Sequence, residues 1–417
     1  MMRKSRKIAL ILCSSFLLLS GYGSSSKAEA ASVPPSILLD SYPLPFPADP
    51  IVIQGTTMVP FRAIAEAMQI SVEWQAKTQS IVATKSIDGV NQTIILRMKS
   101  KTATVNGKSQ PLTVAPLSHG GSVLVPLSFF SSQFGATVSW DAKTRTVAIT
   151  SPKEDLYTLG FYAISSYDER RFINQLDSVS FGWARIDAGG QLTLQGKDFY
   201  WPPSAGETTP ESIITSASAI GTSPELMVVS TDGKGELTKI LEDSTLRAST
   251  IDSIVELAAE KQFEGITLDF EGLGLTGDAA KVQHSFTEFV RLLDEKATPR
   301  NLKLTLALHP LNSSYKGYDY KKLAAYADQI VIMAYDYTYT KGPEPMKKVD
   351  EAIVMALKQV PKNKLVLGIS LDSENPDTVN AKIGLAKRYD LKGVAFWRIG
   401  IIGEPVMQRM QQSLIFK

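Results

Sequence analysis

A stretch in the second half of the chain carries two carboxylates with a spacing suited to acid–base chemistry. Residues 263–271 alternate apolar and polar side chains, as a strand with one buried face does. The polar face ends in Asp269 and Glu271, whose side chains would lie about 6–7 Å apart along a strand. Repulsion between two close carboxylates raises the pKa of one of them, which gives a general acid usable near neutral pH. An isolated Asp-x-Glu is more often a structural ion pair at a strand end, so this interpretation needs support from the surrounding elements.

The elements that would position this pair follow the pattern of βα units. From about Glu154, short apolar runs alternate with helical stretches, which is typical of a parallel sheet with crossover helices. Eight such runs over about 260 residues fit the size of a (β/α)8 TIM barrel, and the carboxylate pair ends the fourth. The predicted strands are residues 156–165, 179–186, 225–230, 264–271, 302–309, 329–335, 364–370 and 393–397.

Other predicted strand ends are also polar or aromatic, as a sugar-binding site requires. In barrels of this kind the active site lies at the C-terminal ends of the strands. His309 could face the site or be a structural histidine, and Trp201, in the loop after strand two, could bind sugar or pack the loop. The remaining candidates are Trp183 and Arg185 in strand two, Met333, Tyr335 and Asp336 at strand six, and Trp397 and Arg398 at strand eight.

Three of these motifs resemble those of glycoside hydrolase family 18. Residues 264–271 are similar to the family's Asp-Gly-x-Asp-x-Asp-x-Glu signature, and the Met-x-Tyr-Asp run at 333–336 and Trp397 follow in the family's order. The resemblance covers about residues 154–417, and it implies an α/β fold with a TIM barrel. The family contains chitinases, endo-N-acetylglucosaminidases and bacterial spore-cortex and wall hydrolases.

The resemblance implies a catalytic role for three residues. Glu271 would protonate the glycosidic oxygen and then act as the base for water. Asp269 would orient and stabilise the substrate's 2-acetamido group, and Tyr335 would hydrogen-bond to that group. The acetamido carbonyl, rather than an enzyme carboxylate, would attack carbon one, so that the product retains its configuration.

The resemblance also implies a set of substrate-binding residues. Asp336 would help to hold the sugar in the −1 subsite, and Trp397 would form the floor of that subsite. Met333 and Thr267 complete the predicted set, although Thr267 stands where the family signature has an acidic residue. Glu264 likewise replaces the first Asp of the signature, and these departures leave the pH profile open.

A targeting segment precedes the predicted domains. Four basic residues between positions 3 and 7 precede an apolar run at 8–19, and residues 28–30 form a candidate cleavage site, so residues 1–31 are predicted to be a signal peptide. Retention of this segment as an uncleaved anchor is the alternative. The single cysteine, Cys13, lies inside the run, and a mature chain without cysteines fits export to a bacterial cell wall or medium.

Residues 36–151 are predicted to form a small duplicated α+β domain. Residues 55–84 align without gaps with residues 121–150, and the two copies should pack together because one copy alone buries little surface. This region resembles the copper amine oxidase N-terminal-like, or stalk, domain, which implies a wall-attachment or spacer role and does not imply copper. The equivalent residues Trp74 and Trp140 could bind sugar, but their repeated positions favour packing in the core.

Composition and motifs together narrow the function. A net charge of +2 gives no reason to expect nucleic acid, and no cluster with metal-ligand spacing occurs, so no metal or cofactor is predicted. We predict a secreted or wall-associated monomer whose residues 154–417 cleave polymers of β-linked N-acetylglucosamine, either peptidoglycan or chitin. Residues 371–392 are too few for the subdomain that many chitinases insert there, which predicts an open groove and favours peptidoglycan. The alternative is a non-catalytic, lectin-like wall or spore protein, and the presence of Glu271 favours the enzyme.

Overall fold

Two copies of one structural unit build the N-terminal domain, which consists of strands and two short helices. The computed structural model describes residues 34–87, 89–338 and 340–417, so the predicted signal peptide lies outside the described residues. In each copy a strand runs through a proline, Pro60 or Pro126, into a helix and then a hairpin. Proline fits the last residue before a helix, because its φ is fixed and it lacks an N–H. The elements are β1 (Ser36–Leu39), β2 (Tyr42–Pro43), β3 (Ile51–Ile53), β4 (Thr56–Pro60), α1 (Phe61–Ala67), β5 (Ser71–Gln75), β6 (Ser80–Ile87), β7 (Val90–Arg97), β8 (Thr102–Val105), β9 (Lys108–Pro111), β10 (Leu117–His119), β11 (Ser122–Pro126), α2 (Leu127–Ser132), β12 (Thr137–Asp141) and β13 (Thr146–Thr150).

The two copies interlock around a pseudo-two-fold axis. β4 pairs with β11 in antiparallel fashion, and the equivalent residues Val59 and Val125 lie opposite each other. β1 of the first copy pairs with β13 of the second. Buried side chains from both copies, such as Ile64 and Phe130, form one hydrophobic core. The expectation that the copies pack together is therefore confirmed.

The expectation that both repeat tryptophans pack in the core is wrong for one of them. Trp74 is partly buried against the core, whereas Trp140 is 50% exposed and lines a surface groove. Repeat symmetry equates sequence positions but not the residues around them. Arg62 lines the pocket beside Trp74, while the smaller Ser128 stands at the equivalent position beside Trp140.

The second half of the chain forms a closed barrel of eight parallel strands, as predicted. Neighbouring strands pair in sequence order, and the first strand pairs with both the second and the last, which closes the sheet. The sixth strand ends at Ile332 instead of Tyr335, because the backbone leaves the sheet there. The strands are β14 (Tyr157–Tyr162), β15 (Ser178–Ile186), a short antiparallel partner β16 (Leu192–Thr193), β17 (Ser223–Thr231), β18 (Gly265–Glu271), β19 (Lys303–Leu308), β20 (Gln329–Ile332), β21 (Leu365–Ser370) and β22 (Gly393–Trp397).

Helices connect most of the barrel strands. The first connection is instead a run of 3-10 turns over Ile164–Gln175. The seventh connection contains one helix, Val379–Arg388, as its short sequence predicts. In the described part of the chain, no helix is long and apolar enough to cross a membrane. The helices are α3 (Pro210–Ala219), α4 (Glu236–Glu242), α5 (Ser244–Glu260), α6 (Ala279–Ala297), α7 (Tyr320–Leu323), α8 (Met346–Leu357), α9 (Val379–Arg388) and α10 (Gly403–Met410).

Strand β18 has the two faces that its sequence predicts. Phe270 packs against Phe286 and Phe289 of α6, with ring centroids 6.2 Å and 5.5 Å apart. On the opposite face, the fully buried Thr267 hydroxyl donates to Glu225 Oε2 at 2.6 Å. Burial of an apolar face against helices, at about 25 cal/mol per Å², fixes which side chains point into the barrel.

A hydrogen-bonded polar layer fills the barrel below the end of β18. Ser180 Oγ donates to Thr267 Oγ1 at 2.6 Å, and Gln329 Nε2 donates to Thr305 Oγ1 at 2.9 Å. Burial raises the pKa of Glu225, which lies in this layer. Because buried polar groups are costly unless they are paired, these mutual bonds allow the layer to exist inside the barrel.

The small domain and the barrel pack against each other within one compact unit, residues 35–417. The guanidinium of Arg388, at the end of α9, donates to the backbone oxygens of Leu39, Tyr42 and Pro43 at 3.0, 3.1 and 3.0 Å. Burial lowers the pKa of Arg388. The Tyr42 hydroxyl donates to Asp350 of α8 at 3.2 Å. Polar contacts of this kind fix one orientation of the two domains.

Candidate active site

Asp269 and Glu271 lie at the C-terminal end of β18, and their surroundings differ. Asp269 is 4% exposed, and its Oδ1 has no hydrogen-bond partner among the described residues. Burial, and then the charge of Glu271, raise the pKa of Asp269. The Glu271 side chain is 36% exposed, and burial, followed by the charge of Asp336, raises its pKa. Both carboxyl groups therefore keep a proton at higher pH than a free side chain does.

The end of β18 is fixed by the loop that follows β19. The Tyr318 hydroxyl donates to the Phe270 carbonyl at 2.8 Å and accepts from the Leu273 N–H at 3.4 Å. Gly274 has a φ of +69°, and a Cβ there would lie 2.3 Å from the backbone nitrogen of Gly317. Only glycine allows so close an approach of two backbones. The chain is thus held on both sides of Glu271.

His309 faces Glu271, so of the two positions that the sequence leaves open for this histidine the structure has the one at the site. Its Nε2 lies 3.4 Å from Glu271 Oε2, and its ring stacks on Tyr315 with centroids 4.0 Å apart. The Tyr320 hydroxyl donates to the His309 carbonyl at 3.0 Å. Burial lowers the pKa of His309 to about 4, so the imidazole is neutral at neutral pH and the contact is not an ion pair.

Tyr335 and Asp336 lie on the segment that leaves the sheet after β20. Asp336 has a φ of +58°, which is uncommon for a residue other than glycine. The Glu344 carboxylate holds this turn, because it accepts from the N–H groups of Asp336 and Tyr337 at 3.0 and 3.2 Å. Burial raises the pKa of Tyr335, and the charges of the two β18 carboxylates raise it further. The phenol therefore keeps its proton and can donate a hydrogen bond.

A buried ion pair supports Glu344 in turn. Lys382 Nζ lies 2.9 Å from Glu374 Oε1, and these side chains are 4% and 1% exposed. Lys382 also donates to the Glu344 carbonyl at 2.9 Å, and Glu374 accepts from the Glu344 N–H at 2.9 Å. The sequence analysis misses all three residues. The available signal is Lys382 itself, which lies between Val379 and Ile383 on the buried face of α9, where a lysine requires a partner.

Trp397 lines a groove of about 440 Å³ at the end of β22. Its ring centroid lies 5.6 Å from that of Phe161 and 6.5 Å from that of Phe199. The peptide bond between Trp397 and Arg398 is cis, and Arg398 lies 3.9 Å from Asp372. A partly buried indole beside an open groove is suited to stacking against a flat ligand.

Several residues that the sequence places at the site are buried inside the barrel or packed in its core. Thr267 is fully buried and its hydroxyl donates to Glu225, because it precedes Asp269 on the same face and so lies deeper in the barrel. Met333 is 5% exposed and packs inside the barrel. Trp183 is fully buried in the main core, and Trp201 packs against it with ring centroids 5.4 Å apart. Substrate contact by these four residues is not supported by their positions.

Taken together, the site holds a partly exposed proton donor beside a buried carboxyl group. Tyr335 supplies a neutral hydrogen-bond donor close to both, and it packs against the same apolar cluster as Trp397, whose indole supplies an aromatic surface. Among the residues that the structure describes, no group of three or more His, Cys, Asp or Glu could hold a metal ion. The arrangement is capable of proton transfer to a bound, uncharged ligand.

The barrel sequence matches a known family. Residues 158–373, more than half of the chain, match the family described as Glycosyl hydrolases family 18. The chain belongs to glycoside hydrolase family 18. Residues 38–149 match the family described as Copper amine oxidase N-terminal domain. Both resemblances that the sequence motifs indicate are therefore confirmed.

Curated relatives of this family 18 chain occur in Bacillus. The chain is 27% identical over 256 residues to the YdhD protein of Bacillus subtilis (strain 168), an alignment that covers 56% of each. It is 29% identical over 142 residues to the cortical fragment-lytic enzyme of the same organism, covering 32% of each. The chain thus spans only about half of the first relative's length and a third of the second's.

Solved structures share the fold of the family 18 barrel. The Bacillus megaterium QM B1551 spore cortex-lytic enzyme SleL has a TM-score of 0.52 at 16% identity, covering 64% of this chain and 76% of that chain. A class V chitinase from Pseudomonas fluorescens Pf-5 has a TM-score of 0.53 at 20% identity, covering 62% of this chain and 99% of that chain. At these identities the likeness establishes the architecture alone.

Proposed function

We propose that the protein is a glycoside hydrolase that cleaves polymers of β-linked N-acetylglucosamine. The observation that carries this proposal is the pair Asp269 and Glu271 at the end of β18, with both pKa values raised and Glu271 partly exposed. A carboxylic acid whose pKa is raised keeps its proton to higher pH and can protonate a glycosidic oxygen. Membership of a glycosidase family supports the same chemistry.

In the proposed mechanism, Glu271 donates its proton to the leaving-group oxygen as the glycosidic bond breaks. The 2-acetamido carbonyl of the substrate attacks carbon one and forms a cyclic oxazolinium ion. Asp269 Oδ1 has no hydrogen-bond partner among the described residues. It accepts a hydrogen bond from the acetamido N–H, and the Tyr335 hydroxyl donates one to the acetamido oxygen. Glu271, now ionised, removes a proton from a water molecule. That water attacks carbon one and opens the oxazolinium ring, so the product retains the configuration of the substrate.

His309 has a supporting part in this scheme. Its neutral imidazole lies 3.4 Å from Glu271 Oε2, and stacking on Tyr315 holds the ring in place. A cationic partner at this distance would stabilise the Glu271 carboxylate and lower its pKa, whereas a neutral one does not. Burial of His309 therefore helps to keep Glu271 in its acid form.

Cell-wall glycan is the substrate that we favour over crystalline chitin. Two of the similar proteins are named for lysis of the spore cortex or its fragments. The single helix α9 between β21 and β22 leaves no inserted subdomain beside the groove. Of the three barrel tryptophans, Trp183 and Trp201 pack in the core, so Trp397 is the one whose indole can stack on a long chain in the groove. An open groove of this kind admits a glycan that carries peptide branches.

The N-terminal domain and the predicted export signal complete the proposal. We place the mature protein outside a bacterial cell, with its duplicated domain holding it on the wall while the barrel cleaves. The non-catalytic, lectin-like alternative is less favoured, because such a protein has no need of Glu271 with a raised pKa.

The test of this function compares two polymers. The full chain is incubated with purified peptidoglycan and with colloidal chitin at equal accessible N-acetylglucosamine, and the products are identified by mass. We expect faster release of reducing ends from peptidoglycan and a first product in the β configuration by NMR. Faster cleavage of chitin would reverse the choice of polymer, an initial α-anomer would contradict the mechanism, and no release from either would favour the lectin.

A further inference from the structure

Two related grooves lie on the surface of the N-terminal domain. One, which we name the Trp140 groove, has a volume of about 470 Å³, and the other, beside Trp74, has about 260 Å³. Trp140 lines its groove together with residues 55–57 of the other copy, and Trp74 does so with residues 121–123. The two grooves are therefore equivalent positions related by the pseudo-two-fold symmetry of the domain.

Among the residues that the structure describes, no charged side chain lines the Trp140 groove. The half-exposed indole of Trp140 lies beside hydroxyl groups, among them those of Thr56, Thr57, Ser128 and Ser139. A flat apolar face surrounded by hydroxyl groups fits a neutral sugar, whose C–H face packs on the ring and whose polar groups form hydrogen bonds. A nucleic acid or an acidic peptide would require basic residues here.

The groove beside Trp74 differs from its counterpart at one informative position. Arg62 lines it where Ser128 lines the Trp140 groove, and a longer side chain there leaves less free volume. Trp74 is also packed against the hydrophobic core, whereas Trp140 is not part of that packing. The copies have thus diverged into one larger and one smaller groove.

We propose that the Trp140 groove is a second glycan-binding site, which takes a short stretch of β-linked N-acetylglucosamine outside the barrel. The choice of polymer rests on the proposed function of the barrel. The groove volume falls within the range of about 300–1,000 Å³ found for small-molecule sites. Because Arg388 joins the domain to the barrel, a glycan held at Trp140 stays at high local concentration near the catalytic groove.

The experiment observes each tryptophan separately in the full-length protein. The chain has five tryptophans, so its indole N–H signals are countable by ¹H–¹⁵N NMR, and Trp74→Phe, Trp140→Phe and Trp397→Phe assign three of them. The Glu271→Gln protein, which removes the acid, is titrated with a β-1,4-linked N-acetylglucosamine tetrasaccharide. We expect saturable shifts of both the Trp140 and the Trp397 signals.

Exchanging the residue that differs between the grooves gives the matched variants. Ser128→Arg gives the Trp140 groove the arginine that the groove beside Trp74 has at the equivalent position, Arg62. We expect it to weaken glycan binding at Trp140 about tenfold or more and to leave the Trp397 response unchanged. Arg62→Ser should make the Trp74 signal respond. Val90→Ala, at an apolar residue that is 67% exposed and outside both grooves, is the control and should change neither response.

The outcomes separate this inference from the function of the barrel. A Trp397 response without a Trp140 response, up to about 10 mM tetrasaccharide, overturns the second site and leaves the barrel's function intact. A Trp140 response without one at Trp397 supports the second site and contradicts the barrel's function. A Trp140 shift that survives Ser128→Arg, or that a glucose tetrasaccharide produces equally, contradicts the assignment of the groove to an acetamido sugar.

Discussion

Glu271 and Asp269 are neighbours on one face of a strand, yet they meet different environments. Asp269 is almost fully buried, and burial is the first cause of its raised pKa. Glu271 is partly open, and the charge of Asp336 adds to the effect of burial. The partly open residue can exchange a proton with a substrate, while the buried one can only hold or orient a group that enters the site. This difference supports the roles of acid and positioning carboxylate.

The first prediction concerns the alkaline limb of the pH profile. Activity should fall as pH rises through the pKa of Glu271, because the acid form is lost. Asp336→Asn removes a negative charge that raises this pKa, so the alkaline limb of kcat/KM should move to lower pH. Glu256→Gln, on the exposed side of α5, makes the same change of charge and should leave the limb in place. An unmoved limb in the Asp336 variant would show that this charge does not act on the acid.

The second prediction concerns stability as a function of pH. The pKa of Asp269 is higher in the folded protein than its usual value of about 3.9, so the folded state binds this proton more tightly than the unfolded chain does. Stability due to this group is therefore present below about pH 4 and is lost as pH rises. Asp269→Asn should unfold at a higher temperature than the wild type at neutral pH and at nearly the same temperature at acid pH. A difference in unfolding temperature between the two proteins that stays constant with pH would contradict the raised pKa of Asp269.

At the scale of elements, local patterns predict much of the fold but not what holds the site together. The alternation in β18 and the spacing of the eight runs are local, so the barrel and the position of Glu271 could be predicted from them. The turn at Asp336 depends on Glu344, Glu374 and Lys382, which come from later segments. Periodicity carries no information about such contacts, because they form only after distant elements have packed. The same reason explains why the sequence does not predict that Trp140 is exposed or that Trp183 is buried in the core.

The third prediction tests whether Lys382 and Glu374 support the turn at Asp336. Lys382→Met leaves the buried Glu374 without its partner, which should lower the free energy of unfolding by about 3–5 kcal/mol. The double variant Lys382→Met/Glu374→Gln removes both charges and should recover part of this stability. If the network positions Asp336, kcat/KM should remain lower by a factor on the order of 10–10² in the double variant.

Stability and catalysis measured on the same samples distinguish positioning from simple folding. Full recovery of kcat/KM along with stability in the double variant would mean that the network is structural only. Lys322→Met, at an exposed lysine on α7, is the matched control and should affect neither quantity.

At the scale of the whole molecule, two domains that match different families pack into one compact unit. Arg388 belongs to the barrel but donates three hydrogen bonds to the N-terminal domain. The repeat and the βα pattern predict each domain separately, because each pattern is internal to its domain. The contact between the domains depends on single polar residues such as Arg388 and Asp350, which no periodic pattern marks.

The fourth prediction tests this coupling. Arg388→Ala removes hydrogen bonds from a charged donor, each typically worth about 1.5–3 kcal/mol, so the N-terminal domain should unfold at lower denaturant than the barrel. Arg300→Ala, at an exposed arginine, makes the same change of charge and should keep the wild-type transition. Identical unfolding curves for the two variants would mean that the domains are not coupled through Arg388.

The most direct test of the central claim is the rate of glycan cleavage by Glu271→Gln. The amide keeps the size of the side chain but cannot donate the proton, so the rate of reducing-end release from peptidoglycan should fall by a factor on the order of 10²–10⁴. Affinity for the N-acetylglucosamine tetrasaccharide, measured by calorimetry, should stay close to that of the wild type. Wild-type turnover by Glu271→Gln would contradict the assignment of the acid and, with it, the proposed function of the barrel.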